Sequence, residues 1–283
     1  MAVNLATKFL PFVDEMFTKE SKKSLLTNND FNFDGSGAVK IYKISTSEMN
    51  DYGRNGATGN NWSRYGAVQS LDATTEEMQL KRDRSFTFAI DKLDTNETVG
   101  QLEGASALAR QVREVVIPEI DTYVYKQMAE NAGTKVTIAK EEFDVAHMYN
   151  EVVKASQVLD EALVPDEDRV LLVTPDTYRM MKVCEEIIMN TDIGAEDRKK
   201  GVIGILDGAV VVKVPASRLP EGFGFMLAHP SATVAPTKLE DYKLHQDPPG
   251  INGTLVEGRI VYDAFVMENK AKAIYYLSVG NAE

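Results

Sequence analysis

The longest regular pattern of apolar and polar positions in the chain predicts one long helix. Apolar or small side chains recur at three- and four-residue spacing, as on one face of an amphipathic helix: Leu102, Ala105, Ala109, Val112, Val116, Ile120, Tyr123 and Met128. A helix over residues 98–132, ended by Gly133, would be about 50 Å long. Pro118 cannot donate a hydrogen bond to the carbonyl of Glu114, so we expect a bend there.

Two runs that precede this helix have strand-forming composition, residues 38–44 and 76–91. A period of two places several apolar side chains of the second run on one face: Met78, Leu80, Phe86, Phe88 and Ile90. Arg82 and Arg84 interrupt that same face. Because two arginines cannot be buried without partners, we expect this stretch to be exposed or to meet acidic groups of another chain. Both arginines are therefore candidate inter-subunit contacts.

The segment between the two runs is rich in Gly, Asn and Ser and carries three aromatic residues without periodicity, Tyr52, Trp62 and Tyr65. It has no Gly-Lys-Ser/Thr ending and no strand that runs through a glycine fingerprint into a helix, so a phosphate-binding loop is not indicated. Long loops of this kind are usually functional. The pattern favours a two-stranded excursion with an adhesive tip, in which Trp62 and Tyr65 are candidate contacts.

The first 26 residues contain an amphipathic helix candidate over residues 5–26, interrupted by Pro11. Its apolar side includes Phe9 and Phe12. An apolar arm of this kind requires a surface to cover it. The pattern leaves two partners equally open, the core of the same chain and a neighbouring subunit.

Predicted helices and strands alternate after the long helix. This order predicts a compact α/β or α+β lobe. The predicted elements are a strand at 135–139, helices at 141–164 and 175–190, strands at 169–174, 209–214 and 223–227, and a closing strand pair at 255–267 and 272–277. The inner face of the 141–164 helix should carry Phe143, Met148, Val152, Ala155, Leu159 and Leu163. We expect the long helix to cross a sheet formed by the closing strands and the base of the excursion.

Composition indicates a globular protein of 283 residues and 31.3 kDa with 43% hydrophobic residues. The formal net charge of -12 argues against a surface built to neutralise phosphate or anionic lipid. No apolar run approaches the length of a membrane span, and the N-terminus lacks the pattern of a secretory leader, so a cytosolic setting is expected. The single cysteine, Cys184, excludes an intramolecular disulfide.

No catalytic or metal-binding motif is recognisable. The three histidines, His147, His229 and His245, are too far apart in sequence to form a known metal or acid–base motif. Cys184 has no local nucleophile signature. We therefore expect no catalytic residue, no cofactor and no bound metal, although an α/β enzyme with a dispersed site stays open as an alternative.

The order of elements and four stretches of sequence resemble a tailed-bacteriophage major capsid protein of the Hong Kong 97-type fold. The stretches are VLLVTPDTYRMMK at 170–182, GVIGILDGAVVVKVPASRLP at 201–220, FGFMLAHPSATVAPTKL at 223–239 and GRIVYDAFVMENKAKAIYYL at 258–277. The resemblance implies an α+β fold in five parts. These are an N-terminal arm at 1–34, an E-loop with its strands at 35–93, a spine helix and P-domain at 94–140, an A-domain at 141–250, and strands that return to the P-domain at 251–283.

The same resemblance implies a non-enzymatic coat protein that self-assembles as hexamers and pentamers into an icosahedral shell around double-stranded phage DNA. The implied partners are other copies of the chain, a scaffolding protein, a portal, and packaged DNA bound without sequence specificity, with no membrane. The implied location is the virion, assembled in the host bacterial cytoplasm. An encapsulin-type nanocompartment shell, which has the same fold but encloses protein cargo, is the nearest alternative.

Overall fold

The computed structural model of the chain describes residues 21–28, 38–56, 63–68, 70–71, 73–97, 104–184 and 202–280. The chain divides into two compact units. The smaller unit is Phe33–Leu80, and the larger unit comprises Met1–Asn32 and Lys81–Glu283.

The smaller unit is built on an antiparallel pair of strands, β1 (Ala38–Ile44) and β2 (Ala73–Gln79), with Ile44 opposite Ala73 at the loop end. The single strand predicted over 76–91 is wrong. The strand is interrupted at Leu80 and Lys81, and β3 (Arg82–Asp91) belongs to the larger unit. No Gly or Pro marks this interruption in the sequence. The Lys81 N–H instead donates at 2.8 Å to the side chain of Asp263, which is distant in sequence.

The predicted long helix is present in its second part. Four segments follow one another: α1 (Lys92–Glu97), α2 (Gly104–Gln111), a π-helical segment (Val112–Val116) and α3 (Ile117–Glu130). Residues 104–130 are continuously helical, which corresponds to about 40 Å. Residues 98–103 lie outside the described residues. The helix ends at Glu130, before the expected Gly133.

A wider turn occurs where the bend was expected. The Ile117 N–H donates to the carbonyl of Val112, five residues back, in the pattern of a π-bulge. Pro118 follows directly and has no N–H to donate. The π-helical segment thus lets the helix continue past a residue that cannot take part in the regular hydrogen-bond ladder.

One part of the predicted apolar stripe is buried and another is exposed. The buried side chains of α3 and the turn before it are Val116, Ile120, Asp121, Val124, Tyr125, Met128 and Ala129. Ala105 and Ala109 of α2 are exposed. Gly104 lies against β10 (Thr237–Gln246) and β11 (Gly253–Tyr262), where a Cβ atom would lie 2.7 Å from Leu244 and 2.8 Å from Thr254. This places the start of α2 on a sheet.

That sheet has three antiparallel strands in the order β10-β11-β3. The expectation that the long helix lies on a sheet containing a closing strand and a strand from the base of the excursion is therefore correct for β11 and β3. No strand was predicted for β10. Its sequence, TKLEDYKLHQ, mixes charged residues with others, which is typical of an edge strand that faces water.

The larger sheet has six strands in the order β4-β13-β8-β5-β7-β6. Their bounds are β4 (Thr134–Ile138), β5 (Val170–Val173), β6 (Val202–Leu206), β7 (Ala209–Lys213), β8 (Phe223–Ala228) and β13 (Ile274–Val279). The β4/β13 and β5/β7 pairs are parallel and the others antiparallel. Every residue of β5 and β8 is buried, so these two strands form the centre of the core.

The predicted pairing of the two closing strands is wrong, because β11 and β13 belong to different sheets. After β11 the chain forms β12 (Phe265–Val266), which pairs with β9 (Thr233–Val234). A 3-10 helix then spans Glu268–Ala273 in place of a tight turn. The polar sequence between the strands is therefore a connection between two sheets.

Two helices accompany the six-stranded sheet, α4 (Val145–Glu161) and α5 (Pro175–Val183). The helix begins four residues after the predicted start at 141. The residues predicted for its inner face are buried from Phe143, which precedes α4, to Leu159. Leu163 is the exception at 88% exposure, because the helix ends at Glu161 and the backbone of Leu163 is left-handed, with a φ of 58°. The part of the predicted 175–190 helix after Cys184 lies outside the described residues.

Candidate assembly surfaces

Large apolar side chains that stay exposed are concentrated in the smaller unit. Among the described residues there are fourteen, and seven belong to this unit: Tyr42, Ile44, Met49, Tyr52, Tyr65, Val68 and Leu71. Exposed apolar groups that cluster in this way are typical of surfaces that become buried in an assembly. The excursion predicted from the sequence therefore carries a candidate contact surface.

The tip of the excursion has a defined local structure. The rings of Tyr52 and Tyr65 meet edge to face with their centroids 5.0 Å apart, a favourable geometry for aromatic pairs. The Gly53 N–H donates to the Arg64 carbonyl at 2.8 Å and ties the two sides of the tip together. Tyr65 is nevertheless 78% exposed. Trp62, the other predicted contact of the tip, lies outside the described residues.

The structure places the two candidate arginines differently. The Arg84 Nε donates to Glu119 Oε1 at 2.7 Å, so its acidic partner lies on α3 of the same chain. The guanidinium of Arg82 lies 4.3 Å from the centroid of the Tyr123 ring, in a cation–π contact. No carboxylate of the described residues lies within 4.0 Å of Arg82. An inter-subunit role of either residue stays a prediction, and Arg82 is the stronger candidate.

Hydrogen bonds to Asp263 fix the Tyr123 ring that Arg82 contacts. The Tyr123 hydroxyl donates to Asp263 Oδ1 at 2.7 Å, and the same oxygen accepts the Ala264 N–H at 2.8 Å. Burial and the hydrogen bond to Asp263 raise the pKa of Tyr123 to about 12. The hydroxyl therefore remains a donor at neutral pH. No local sequence pattern indicates this network, because Tyr123 and Asp263 lie 140 positions apart.

Glu119 joins a second set of hydrogen bonds on the face that carries Tyr123 and Asp263. It accepts hydrogen bonds from Arg84 and, at 3.3 Å, from the Tyr262 hydroxyl. Burial and the charge of Glu119 raise the pKa of Tyr262 to about 12. The rings of Tyr123 and Tyr262 pack edge to face at 5.8 Å. The face shared by β3, β11 and α3 is thus organised around two tyrosines and two carboxylates.

Residues 21–28, which fall in the predicted N-terminal arm, belong to the larger unit. The Ser21 hydroxyl donates to Asp121 Oδ1 at 2.6 Å, and the Arg218 Nη1 donates to Asp121 Oδ2 at 2.9 Å. Burial raises the pKa of Asp121, although the hydrogen bond from Ser21 and the charge of Arg218 oppose this shift. Leu26 is fully buried, and the Asn28 N–H donates to the Thr233 carbonyl at 2.9 Å. Phe9 and Phe12 lie outside the described residues.

The histidines and the cysteine have local partners or are buried. His147 contacts Asp144 at 2.7 Å, His229 contacts Ser231 at 2.7 Å, and His245 contacts Glu257 at 3.2 Å. Cys184 is buried. Among the described residues, no group of His, Cys, Asp and Glu side chains is arranged to hold a metal ion. Within the same residues, no helix combines the length and the apolarity needed to cross a bilayer.

Comparisons with known proteins find similarity in structure. No family model and no curated protein sequence matches the chain. A protein of Mycobacterium phage Che8 superposes with a TM-score of 0.75 and 19% identity, covering 96% of both chains. The capsid structure of cyanophage P-SCSP1u gives a TM-score of 0.72 and 14% identity, covering 98% of this chain and 93% of that chain.

A third structure, the mature capsid of bacteriophage PhiM1, gives a TM-score of 0.71 and 12% identity, covering 99% of this chain and 93% of that chain. In all three comparisons nearly the whole chain is matched, which includes the smaller unit and the larger one. The α+β fold expected from the sequence is confirmed: the chain has the fold of the tailed-phage capsid structures.

Proposed function

We propose that this chain is the major capsid protein of a tailed bacteriophage, which assembles as hexamers and pentamers into an icosahedral shell around double-stranded DNA. The observation that carries the proposal is the match of 96–99% of the chain to phage capsid structures. A fold shared at such low identity can host several functions. The surface features of this chain therefore have to support the assignment independently.

The exposed apolar side chains of the smaller unit supply that support. A monomer would leave Tyr42, Ile44 and Met49 in water, with Met49 fully exposed. Many identical copies can bury such groups in repeated contacts related by symmetry. Self-assembly then proceeds by burial of modest apolar patches at every interface, without catalysis. The acidic net charge of -12 agrees with a container wall that does not adhere to its nucleic acid.

The remaining parts of the proposal concern partners. A scaffolding protein and a portal would guide closure of the shell, and DNA would be enclosed without sequence-specific contacts. The protein would have no enzymatic activity, and its place would be the wall of the virion. An encapsulin-type shell would differ in its contents, since it would enclose protein cargo.

The test is expression of the full chain, alone and with candidate scaffolding proteins, followed by size-exclusion chromatography and negative-stain electron microscopy. Closed shells of even size, or free hexamers and pentamers, are the expected result. A chain that stays monomeric with every scaffold would contradict the proposal. Analysis of purified particles from infected cells decides the contents: DNA supports the phage assignment, and a single enclosed enzyme supports the encapsulin alternative.

A further inference from the structure

The connection between α4 and β5 presents an apolar side chain in an unusual way. The Leu163 N–H donates to the Asp160 carbonyl at 2.9 Å and the Val164 N–H donates to the Leu159 carbonyl at 3.0 Å. These bonds place Leu163 at the left-handed position after a helix, which glycine normally occupies. Leu163 has a φ of 58° and is 88% exposed. A leucine here has both backbone strain and an apolar side chain in water, so its benefit must lie outside the folded monomer.

A buried guanidinium holds this connection in place. Arg169, only 3% exposed, donates from Nη2 to the Val164 carbonyl at 2.6 Å and from Nε to the Pro165 carbonyl at 2.9 Å. It also forms ion pairs with Asp160 at 2.7 Å and Asp166 at 2.8 Å. We name residues 160–168 the Leu163 knob. Because the knob is already ordered, docking would cost little conformational entropy.

The knob is acidic around its leucine. Residues 160–168 carry five carboxylates, those of Asp160, Glu161, Asp166, Glu167 and Asp168, and Arg169 is the one cation of residues 160–169. Glu167 and Asp168 are exposed and form no ion pair within the described residues. A surface that accepts the knob should therefore offer an apolar depression with basic groups at its edge.

Such a depression lies on the outer side of α3. It has a volume of about 310 Å³ and is lined by Arg82, Pro118, Glu119, Thr122, Tyr123 and Lys126. Arg84 neutralises Glu119, and Arg82 has no carboxylate partner among the described residues. Lys126 is exposed and is paired with Glu130 at 3.6 Å. We name these residues the Arg82 socket.

We propose that the Leu163 knob of one copy of the chain docks into the Arg82 socket of a second copy. Leu163 would cover the Pro118 and Tyr123 side chains, while Glu167 would supply the carboxylate that Arg82 lacks. The knob and the socket are two different surfaces, so the contact can repeat head-to-tail from one copy to the next. A head-to-tail contact closes into a ring or continues as an open filament. The inference rests on the proposed function and adds one specific contact to it.

The first test replaces Leu163 with glycine. Leu163→Gly removes the backbone strain, so the thermal unfolding temperature of the unassembled chain should stay the same or rise. The protein concentration needed for assembly should rise about tenfold or more, as for loss of a buried contact residue. Asp207→Gly is the matched control, since Asp207 has a φ of 50° in the β6–β7 turn. It relieves the same kind of strain away from the knob and should leave assembly unchanged.

The second test exchanges charges between knob and socket. Arg82→Glu and Glu167→Arg should each weaken assembly, and the double variant should recover most of the loss, because the pair is restored with its signs reversed. If the double variant assembles no better than the single variant that assembles less, Arg82 and Glu167 do not pair. If Leu163→Gly assembles at the same protein concentration as the wild type, the proposed role of the Leu163 knob is wrong.

The two proposals fail in different ways. If the wild-type chain forms shells and the variants form them equally well, the docking contact is wrong and the capsid function stands. If the wild-type chain forms no shells, sedimentation velocity still measures head-to-tail association. A concentration-dependent oligomer that Leu163→Gly abolishes supports the docking contact, and a wild-type chain that is monomeric at the highest concentration reached overturns it.

Discussion

Asp121 links three parts of the chain through one buried carboxylate, and its loss should be costly. The side chain is 1% exposed and is bound by Ser21 and Arg218. Asp121→Asn would remove the buried negative charge that the Arg218 guanidinium and the Ser21 hydroxyl both bind. We expect the free energy of unfolding to fall by about 3–5 kcal/mol, which urea titration would measure.

The control for this prediction is an exposed ion pair. Asp176 and Arg179 are separated by 3.1 Å, and both side chains are 66% exposed. Asp176→Asn should change the free energy of unfolding by less than about 1 kcal/mol. Equal effects of the two substitutions would contradict a structural role for the Asp121 pair.

Asp144 should give the stability of the chain a dependence on acid pH. Its Oδ1 accepts the N–H groups of Ala146 and His147 at the start of α4, at 3.0 and 2.9 Å. The backbone hydrogen bond and then the side-chain contact from His147 lower the pKa of Asp144 below its ordinary 3.8. A lowered pKa means that the ionised carboxylate stabilises the fold. This contribution is complete above the ordinary pKa and is lost as pH falls through the lowered value.

Urea titrations of the wild type and Asp144→Ala between about pH 3 and pH 7 would measure this contribution. The wild type should be more stable by a constant margin near neutrality, and the margin should narrow as pH falls below 3.8. Asp144→Asn retains an oxygen that can cap the helix, so it should lie between the two near neutrality. If the stability difference between the wild type and Asp144→Ala is the same at every pH, the ionised form of Asp144 does not stabilise the helix.

Single residues show where sequence reasoning reached its limit. Tyr65 was predicted to be a contact residue of the excursion, and the structure leaves it exposed beside Tyr52. Arg84 was expected to need an acidic group of another chain, but Glu119 supplies it within the same chain. The two residues are 35 positions apart on different elements, so spacing in the sequence carries no sign of the pair. Pro165 was the expected stop of the helix predicted over 141–164, but α4 ends at Glu161, three residues before the predicted end.

At the scale of elements, the three-stranded sheet depends on one glycine between two aromatic rings. Gly258 of β11 lies opposite Tyr242 of β10 and Phe86 of β3. A Cβ atom at this position would lie 2.4 Å from the Phe86 ring and 2.9 Å from Tyr242. Gly258→Ala should therefore lower the free energy of unfolding by about 1–3 kcal/mol, measured by urea titration.

Two further variants make this prediction specific. Ser85→Ala changes an exposed residue of the same sheet and should have an effect within about 0.5 kcal/mol. Phe86→Leu combined with Gly258→Ala should cost less than the sum of the two single substitutions, because the smaller side chain leaves room for the methyl group. Strict additivity would show that the Phe86 ring is not the obstacle.

The elements themselves were predicted to different degrees. The buried strands β5, β7 and β8 and the helix α4 follow apolar runs or helical periodicity, and they lie close to the predicted positions. The break between β2 and β3 has no such signal, since hydrogen bonding by Asp263 replaces a turn residue. The strand β10 was missed because its charged side chains face water and give no apolar face to detect.

At the scale of the whole molecule, residues 45–72 of the smaller unit should be dispensable for folding and essential for assembly. Because Ile44 pairs directly with Ala73, a two-residue Asn-Gly turn in place of residues 45–72 could close the β1–β2 hairpin. The hydrophobic core lies in the larger unit. The shortened chain should therefore keep its thermal unfolding transition, which calorimetry would measure, and should form no shells by electron microscopy.

A milder variant controls for the loss of length. Serine in place of both Tyr52 and Tyr65 keeps the excursion but removes its aromatic pair, so assembly should weaken while the thermal transition stays unchanged. Normal shells from the shortened chain would contradict an assembly role for the excursion. A shortened chain that fails to fold would contradict the independence of the larger unit.

The sequence by itself determined the local features of this protein: the helical period before and after Pro118, the apolar strands of the core, the acidic composition, and the order of elements that resembles phage capsid proteins. These features depend on interactions between residues a few positions apart. The tertiary structure alone decided that β11 and β13 belong to different sheets, that Asp121 binds Ser21 and Arg218, and that the Leu163 side chain faces water. Such outcomes depend on the free energy of packing the whole chain, in which residues a hundred positions apart become neighbours.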